Sequence, residues 1–263
     1  MAKLYPLFSG SKGNCYYVGS GNSGVLIDVG MTAKQTELLL NANEIPVENI
    51  KGIFVTHEHS DHIKGIKVFA SRYGIDIYGS NGTIQELINK DLVTAKYNAN
   101  VIDYNGLEMC NMKIVPFKTS HDCSESTGFV VHTADGQKCA IATDTGVVTQ
   151  EMKESLYGCN VVVIESNHDV NMLLNGMYPY LLKRRILSSK GHLSNDACSE
   201  FLPELVKNGT TRLVLGHLSE ENNMVQLAKQ SAICALHEQN MKLDKDYKLM
   251  VAPVKNSGQV VIY

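Results

Sequence analysis

This sequence has no membrane-spanning stretch, no covalent staple and no large excess of one charge. Its apolar runs fall far short of the roughly 20 residues that cross a bilayer, which excludes a transmembrane helix. The seven cysteines (15, 110, 123, 139, 159, 198 and 234) are odd in number and never spaced Cys-x-x-Cys, so they read as reduced thiols and not as a disulfide framework. The opening residues, Met1-Ala2-Lys3-Leu4-Tyr5-Pro6, lack the charged-then-apolar layout of a secretory signal, and a cytoplasmic protein is expected. A net charge of −3 argues against a generally basic nucleic-acid-coating protein, although a local basic groove is compatible with it. No repeat, low-complexity tract or linker interrupts the 263 residues. With 44% of them hydrophobic, they read as one domain, 1–263.

What the sequence does have is concentrated at His57-Glu58-His59-Ser60-Asp61-His62, directly after the apolar run Gly52–Thr56. Neutral imidazoles and ionised carboxylates are ligands for zinc and similar divalent ions. Along an extended segment, His57, His59 and Asp61 face one way, and His62 follows where a new apolar pattern begins. Four donors from one short loop are too many for a four-coordinate ion that also keeps a water, so two metals in one site are expected.

Patterning predicts alternating strands and helices around this cluster. Strands are expected at Leu4–Phe8, at Cys15–Val18 paired with Val25–Asp28, and at Ile50–Thr56. Further strands are expected at Asp76–Tyr78, Lys113–Phe117, Asn160–Glu165 and Arg212–Leu215, with Gly128–Thr133 and Cys139–Ala142 forming a hairpin around Asp135-Gly136. Helices are expected from Thr32 to about Asn41, around Ile63–Phe69, at Thr83–Asn89, from Ser194 to Lys207 and at Asn223–Glu238. Pro203 argues against an unbroken helix in the fourth of these. Strands recurring in both halves, with helices between them, suit a two-sheet sandwich with helices outside, an α+β fold.

A dinuclear site needs more donors, and four candidates lie at or near strand ends: His121, Asp144, His192 and His217. Alone, each reads as an ordinary structural or turn residue. Beside a cluster that lacks ligands, their shared placement points to one site.

These residues resemble the metallo-β-lactamase-fold hydrolases, whose His-x-His-x-Asp-His pattern is met at 57–62, with His121, Asp144 and His217 following in the order of the later metal motifs. Longer stretches resemble one branch, the YycJ/WalJ-like proteins: Phe8–Asn14, Ser120–Glu125, Glu165–Asp169, Tyr178–Arg185 and Gly216–Asn222. The resemblance spans nearly the whole chain. It implies a four-layer αββα sandwich and a metal-dependent DNA exonuclease acting from 5′ ends, linked to mismatch repair, with DNA-repair partners to match. Carried over by position, one metal would take His57, His59 and His121, the other Asp61, His62 and His217, and Asp144 would bridge them. The ions would be zinc, manganese or iron. Asp61 and His192 are the implied catalytic residues, with His192 contacting the scissile phosphate or protonating the leaving oxygen. Cys123 is not needed as a ligand.

Substrate contacts are read more openly. His168 either binds substrate or is a structural loop residue. Lys183-Arg184-Arg185, beside Tyr178 and Tyr180, is either a solvated helix face or a grip on a phosphate backbone. DNA is the expected partner. An RNA-end nuclease or a cyclic phosphodiesterase would use the same ligands, and a lactone or thioester hydrolase is disfavoured by Asp144 and His192. The sequence does not specify oligomeric state.

Overall fold

The computed structural model describes residues 1–263. Strands β1 (Ala2–Phe8), β2 (Cys15–Ser20) and β3 (Ser23–Ile27) form an antiparallel meander. Helix α1 (Ala33–Ala42), β4 (Ile50–Val55), α2 (Ser60–Ile63), α3 (Ile66–Tyr73), β5 (Ile77–Gly79), α4 (Asn81–Asn89) and β6 (Ala99–Val101) follow, with β3 to β6 parallel. The second half repeats this plan. Strands β7 (Leu107–Met109), β8 (Met112–Lys118), β9 (Thr127–His132) and β10 (Lys138–Ala142) are antiparallel. After α5 (Gln150–Leu156) come β11 (Val161–Glu165), α6 (Val170–Asn175), α7 (Tyr180–Ile186), α8 (Asn195–Lys207), β12 (Arg212–Gly216), α9 (Val225–Glu238) and β13 (Lys248–Val251), with β10 to β13 parallel. The last strand, β14 (Val261–Ile262), returns to pair with β1. Two seven-stranded sheets result.

Three separate apolar cores make the stack four layers deep. Alternation along each strand sends neighbouring side chains to different cores. Val25 and Ile27 face the other sheet, while Leu26 packs with Leu40 of α1 and Phe69 of α3. Val161 and Val163 likewise face inward, whereas Val162 and Ile164 pack with Phe201 of α8 and Ala232 of α9. The inter-sheet layer is closed by Phe54 and Phe129, edge to face at 5.6 Å. Strands buried on both faces read as continuous apolar runs, which is why β11 is Val-Val-Val-Ile before its final glutamate. The αββα sandwich is the one the sequence leads one to expect. No helix is long and apolar enough to cross a membrane.

Local chemistry explains most boundaries. Thr32 and Gln35 form a reciprocal capping box that starts α1, and Ser194 caps α8. Two expectations are corrected. Pro203 does not break α8, although its missing N–H leaves one helical bond unmade; burial of Phe201, Leu202 and Leu205 outweighs that loss. The helix expected over 63–69 is instead two, α2 and α3, divided near Gly65, where a Cβ would stand 2.2 Å from the Met31 carbonyl oxygen. The short strands β6, β7, β13 and β14 and helices α5 to α7 were not anticipated, because elements of two to seven residues carry too few periods to register.

The active end of the sandwich depends on close backbone approach. Asn14 donates its N–H to Asp61, and Gly30 donates to Asn14, both at 2.8 Å. A Cβ on Gly30 would lie 1.7 Å from the Asp61 carbonyl oxygen and 2.5 Å from the Asn14 nitrogen. Gly30→Ala should therefore destabilise the metal-free protein by about 1–3 kcal/mol in urea unfolding. An unchanged midpoint would show that the 57–62 loop yields at no cost.

Candidate metal centre

The loop after β4 delivers its donors in two directions, because it changes conformation halfway. It is extended through His59 and turns helical at Ser60, where α2 begins. The expected alternation thus ends at His59, and Ser60 lines the cavity instead of facing away from the ligands. His57 and His59 converge with His121, which follows β8. His57 Nε2 lies 3.0 Å from His59 Nδ1, and His121 Nε2 lies 3.2 Å from the same atom. The opposite nitrogens of two of these rings are anchored. His121 Nδ1 donates to the Gly191 carbonyl at 2.9 Å, and His57 Nδ1 faces Thr56 Oγ1 at 3.0 Å. Thr56 Oγ1 itself donates to Asp28, so it accepts from His57, leaving the inward Nε2 lone pair free.

The helical turn carries Asp61 and His62 to a second convergence point with His217. Asp61 Oδ2 lies 3.5 Å from His62 Nε2 and 3.7 Å from His217 Nε2. Asp144 stands between the two groups, with Oδ2 3.2 Å from His62 Nε2 and Oδ1 3.8 Å from His121 Nε2.

Two buried carboxylates that sequence reasoning missed orient these ligands. Asp28, just past β3, accepts from His62 Nδ1 at 2.7 Å and from the Thr56 N–H at 2.8 Å. Glu165, the last residue of β11, accepts through Oε1 from His217 Nδ1 at 2.7 Å and from His192 Nδ1 at 2.8 Å. Its Oε2 accepts the N–H groups of Thr145 and Leu193. The trace they share in the sequence is a carboxylate directly after apolar strand residues, which a turn residue leaves as well. Asp28, Asp144 and His217 all have left-handed backbone, with φ of 62°, 58° and 54°. Such strain costs about 1–3 kcal/mol per residue and persists where the surroundings over-determine it.

The donor set fits divalent cations. An ion bonded at about 2.0–2.1 Å in tetrahedral geometry places its ligand atoms roughly 3.3–3.4 Å apart, and the triads show 3.0 to 3.7 Å. Buried Asp144 Oδ2 and His217 Nε2 have no hydrogen-bond partner, as ligand atoms aimed at a cation would not. Electrostatics agree. Burial pulls the His62 and His217 imidazoliums down, but the carboxylates, Asp144 foremost, outweigh it. They hold His217 up at about 10 and His62 well above its ordinary range. Burial alone would raise Asp61 and Asp144; His62 and His217 keep both well below the usual carboxylate range. Glu165 is held down to about 2, burial being overcome by His192 and His217. His57 and His59 are lowered by burial and by neighbouring imidazoles, and so stand neutral.

The metal groups open into a cavity of about 350 Å³, whose lining includes His59, Asp61, Asp144, His192 and His217 together with Tyr178 and Arg185. Of the expected substrate contacts, the structure brings only Arg185 into this wall, where Asp122 holds it with a 2.8 Å Nη2–Oδ1 contact. Lys183 is turned away, donating to the Leu174 carbonyl at 2.7 Å, and Arg184 lies over the Tyr180 ring. His168 is buried outside the cavity. Its backbone pairs with Ser194 and accepts from Asn195, so Asn167 is the residue presented. Burial lowers His168 to about 4. Lys12 is paired with Glu220 at 2.7 Å, while its neighbour Ser11 reaches the cavity. Cys123 joins no donor group, and burial pushes its thiol up to about 12.

Residues 24–218 match the family model of the beta-lactamase superfamily domain. The chain is 37% identical over 246 residues to the exodeoxyribonuclease YycJ of Bacillus anthracis, covering 92% of each protein. It is 36% identical over 252 residues to the exodeoxyribonuclease WalJ of Streptococcus pneumoniae strain D39, covering 92% of this chain and 91% of that one. Among solved structures, the metallo-β-lactamase fold protein YhfI of Bacillus subtilis superposes with a TM-score of 0.73 at 18% identity, covering 99% of this chain and 98% of that one.

Two outcomes follow from the centre's charge balance. At neutral pH the raised His62 and His217 carry protons that a cation must displace. Metal binding should therefore release protons, and its apparent affinity should rise with pH. Calorimetry with Zn²⁺ or Mn²⁺ in buffers of different ionisation enthalpy reads this directly; a buffer-independent enthalpy would contradict it. Glu165→Gln, which keeps the shape but removes the charge orienting His217, should weaken metal affinity by about 10–100-fold in chelator competition.

Proposed function

The chain belongs to the beta-lactamase superfamily and, within it, to the family of the YycJ and WalJ exodeoxyribonucleases, and from that membership we propose that it is a two-metal phosphodiesterase whose substrate is DNA. The observation that carries the reading is His192. It stands in the cavity wall beside both donor groups, with Nδ1 bound to the same Glu165 oxygen that orients His217. A proton donor fixed next to the metal centre serves an alkoxide leaving group.

In this reading His57, His59 and His121 would hold one ion and Asp61, His62 and His217 the other, with Asp144 offering a carboxylate oxygen toward each group. Metal ions bound there would supply Lewis acidity toward water and toward the phosphate oxygens. His192 donates its Nδ1 proton to Glu165, which turns Nε2 toward the cavity. The negative Glu165 stabilises the imidazolium, and the Nε2 proton passes to the leaving 3′ oxygen. Arg185, held in the cavity lining by Asp122, offers its remaining N–H groups to a non-bridging or terminal phosphate oxygen. Zinc, manganese and iron all suit this nitrogen and oxygen set. Polarity from the 5′ end and a link to DNA repair rest on the family resemblance, and a cytoplasmic location on the scattered free cysteines.

The test incubates protein loaded with Mn²⁺ or Zn²⁺ with end-labelled DNA, RNA, bis-p-nitrophenyl phosphate and a lactone panel. Mononucleotides released from the 5′ end of DNA are expected; lactone turnover without diester cleavage overturns the proposal. His192→Ala should retain its metal, by elemental analysis, and lose about 10²–10⁴ in turnover. A fully active, fully loaded variant would remove His192 from the mechanism.

A further inference from the structure

Helix α7 forms part of the cavity wall with one face and is uncovered on another. Tyr178, Leu182, Arg185 and Ile186 line the cavity. Tyr180, Leu181 and Arg184 take no part in that wall, and neither does Met177 in the turn before the helix. Met177 is 96% exposed, Leu181 76% and Tyr180 71%. Large apolar side chains so open to water mark a surface that another molecule covers.

Two features indicate the chemistry of that molecule. Residues 170–195 contain no aspartate or glutamate but carry Lys183, Arg184, Arg185 and Lys190, within a chain of net charge −3. Of these, Arg184 is the cation that stands beside the exposed apolar residues, with no acidic residue of the segment to offset it, which suits a polyanion. The Arg184 guanidinium also lies 5.8 Å from the Tyr180 ring centroid, so a planar cation and an aromatic ring present flat surfaces beside the apolar Leu181 and Met177. Stacking surfaces interleaved with positive charge are how proteins hold single-stranded nucleic acid without reading its sequence. Leu181 and Arg185 are four residues apart, about 6 Å along the helix. A strand with one phosphate at Arg185 thus brings its neighbouring base within reach of the outer face.

We infer that the outer face of α7, with Met177, is a nucleobase platform that grips the DNA strand next to the nucleotide in the cavity. The inference rests on the phosphodiesterase reading of the metal centre and adds to it the means by which DNA is preferred over small diesters. Bases stack on the Tyr180–Arg184 pair and pack against Leu181 and Met177, while phosphate contact stays with Arg185 inside the cavity.

The test separates bases from phosphates. Two single-stranded oligonucleotides of equal length are compared, one ordinary and one with abasic residues next to the cleaved nucleotide, using wild type, Met177→Ser and the double variant Tyr180→Ser/Leu181→Ser. Wild type should show a KM about tenfold lower for the ordinary strand. The double variant should lose that preference and treat both strands as wild type treats the abasic one, and Met177→Ser should lose part of it. Hydrolysis of bis-p-nitrophenyl phosphate monitors the metal centre, because these side chains lie outside its cavity. A wild type indifferent to the missing bases, or variants that keep the full preference, overturns the inference. So does a wild-type dimer that the variants convert to monomers with base preference unchanged, which would assign the face to a second copy of the chain. Diester turnover without any DNA cleavage removes the platform but leaves the phosphodiesterase centre standing, whereas no diester turnover at all removes both.

Discussion

Asp28 and Glu165 close apolar strands in opposite sheets, and each is buried, an arrangement that is costly unless the charge is paired. Asp28 finds its partner in His62, while Glu165 finds two, His217 and His192. Both carboxylates leave the opposite ring nitrogens pointing inward. Removing either would free an imidazole to rotate and would leave buried polar groups unpaired. The metal centre is therefore assembled from behind: each sheet contributes one fixed carboxylate, and the ligands facing the cavity take their orientation from it.

The second constraint is an excess of negative charge and lone pairs at the cavity end of the sandwich. His62 and His217 hold Asp61 and Asp144 well below the usual carboxylate range against the pull of burial, and the carboxylates in turn hold both imidazoles up. A divalent ion resolves that balance more directly than protons do. Left-handed backbone at Asp28, Asp144 and His217 adds strain in the same place, held by bonds such as His217 N–H to Ser9 Oγ at 2.8 Å. Fold stability and metal affinity are thus coupled through one set of side chains.

Helix α7 presents two different faces. Its inner face, with Arg185, belongs to the cavity, and its outer face, with Tyr180 and Leu181, to the surrounding solvent. The basic run 183–185 is a single unit only as text. A helix of 3.6 residues per turn sends its three cations in three directions, and Arg185 alone reaches the wall. His168 parts from Asn167 for a similar reason, since its backbone is committed to Ser194.

Much of the fold and of the donor set was legible in the residues. Continuous apolar runs marked strands buried on both faces, and the surplus of donors at 57–62 led to the expectation of a second ion. His121, Asp144, His192 and His217 stood out by their places near strand ends, and the family resemblance implied which of them join the metal groups. What the sequence could not show is how one short loop serves two ions. That depends on the chain turning helical at Ser60, a change of backbone period that residue types alone do not announce. Nor could it show that Asp28 and Glu165 matter, because a carboxylate at a strand end is indistinguishable from a turn residue until the facing histidine is in place. The ligand types were determined locally, by side-chain chemistry and strand position. Their orientation, their protonation and the reach of each cation were decided by packing across two sheets, because those properties belong to pairs of residues that lie far apart in the chain.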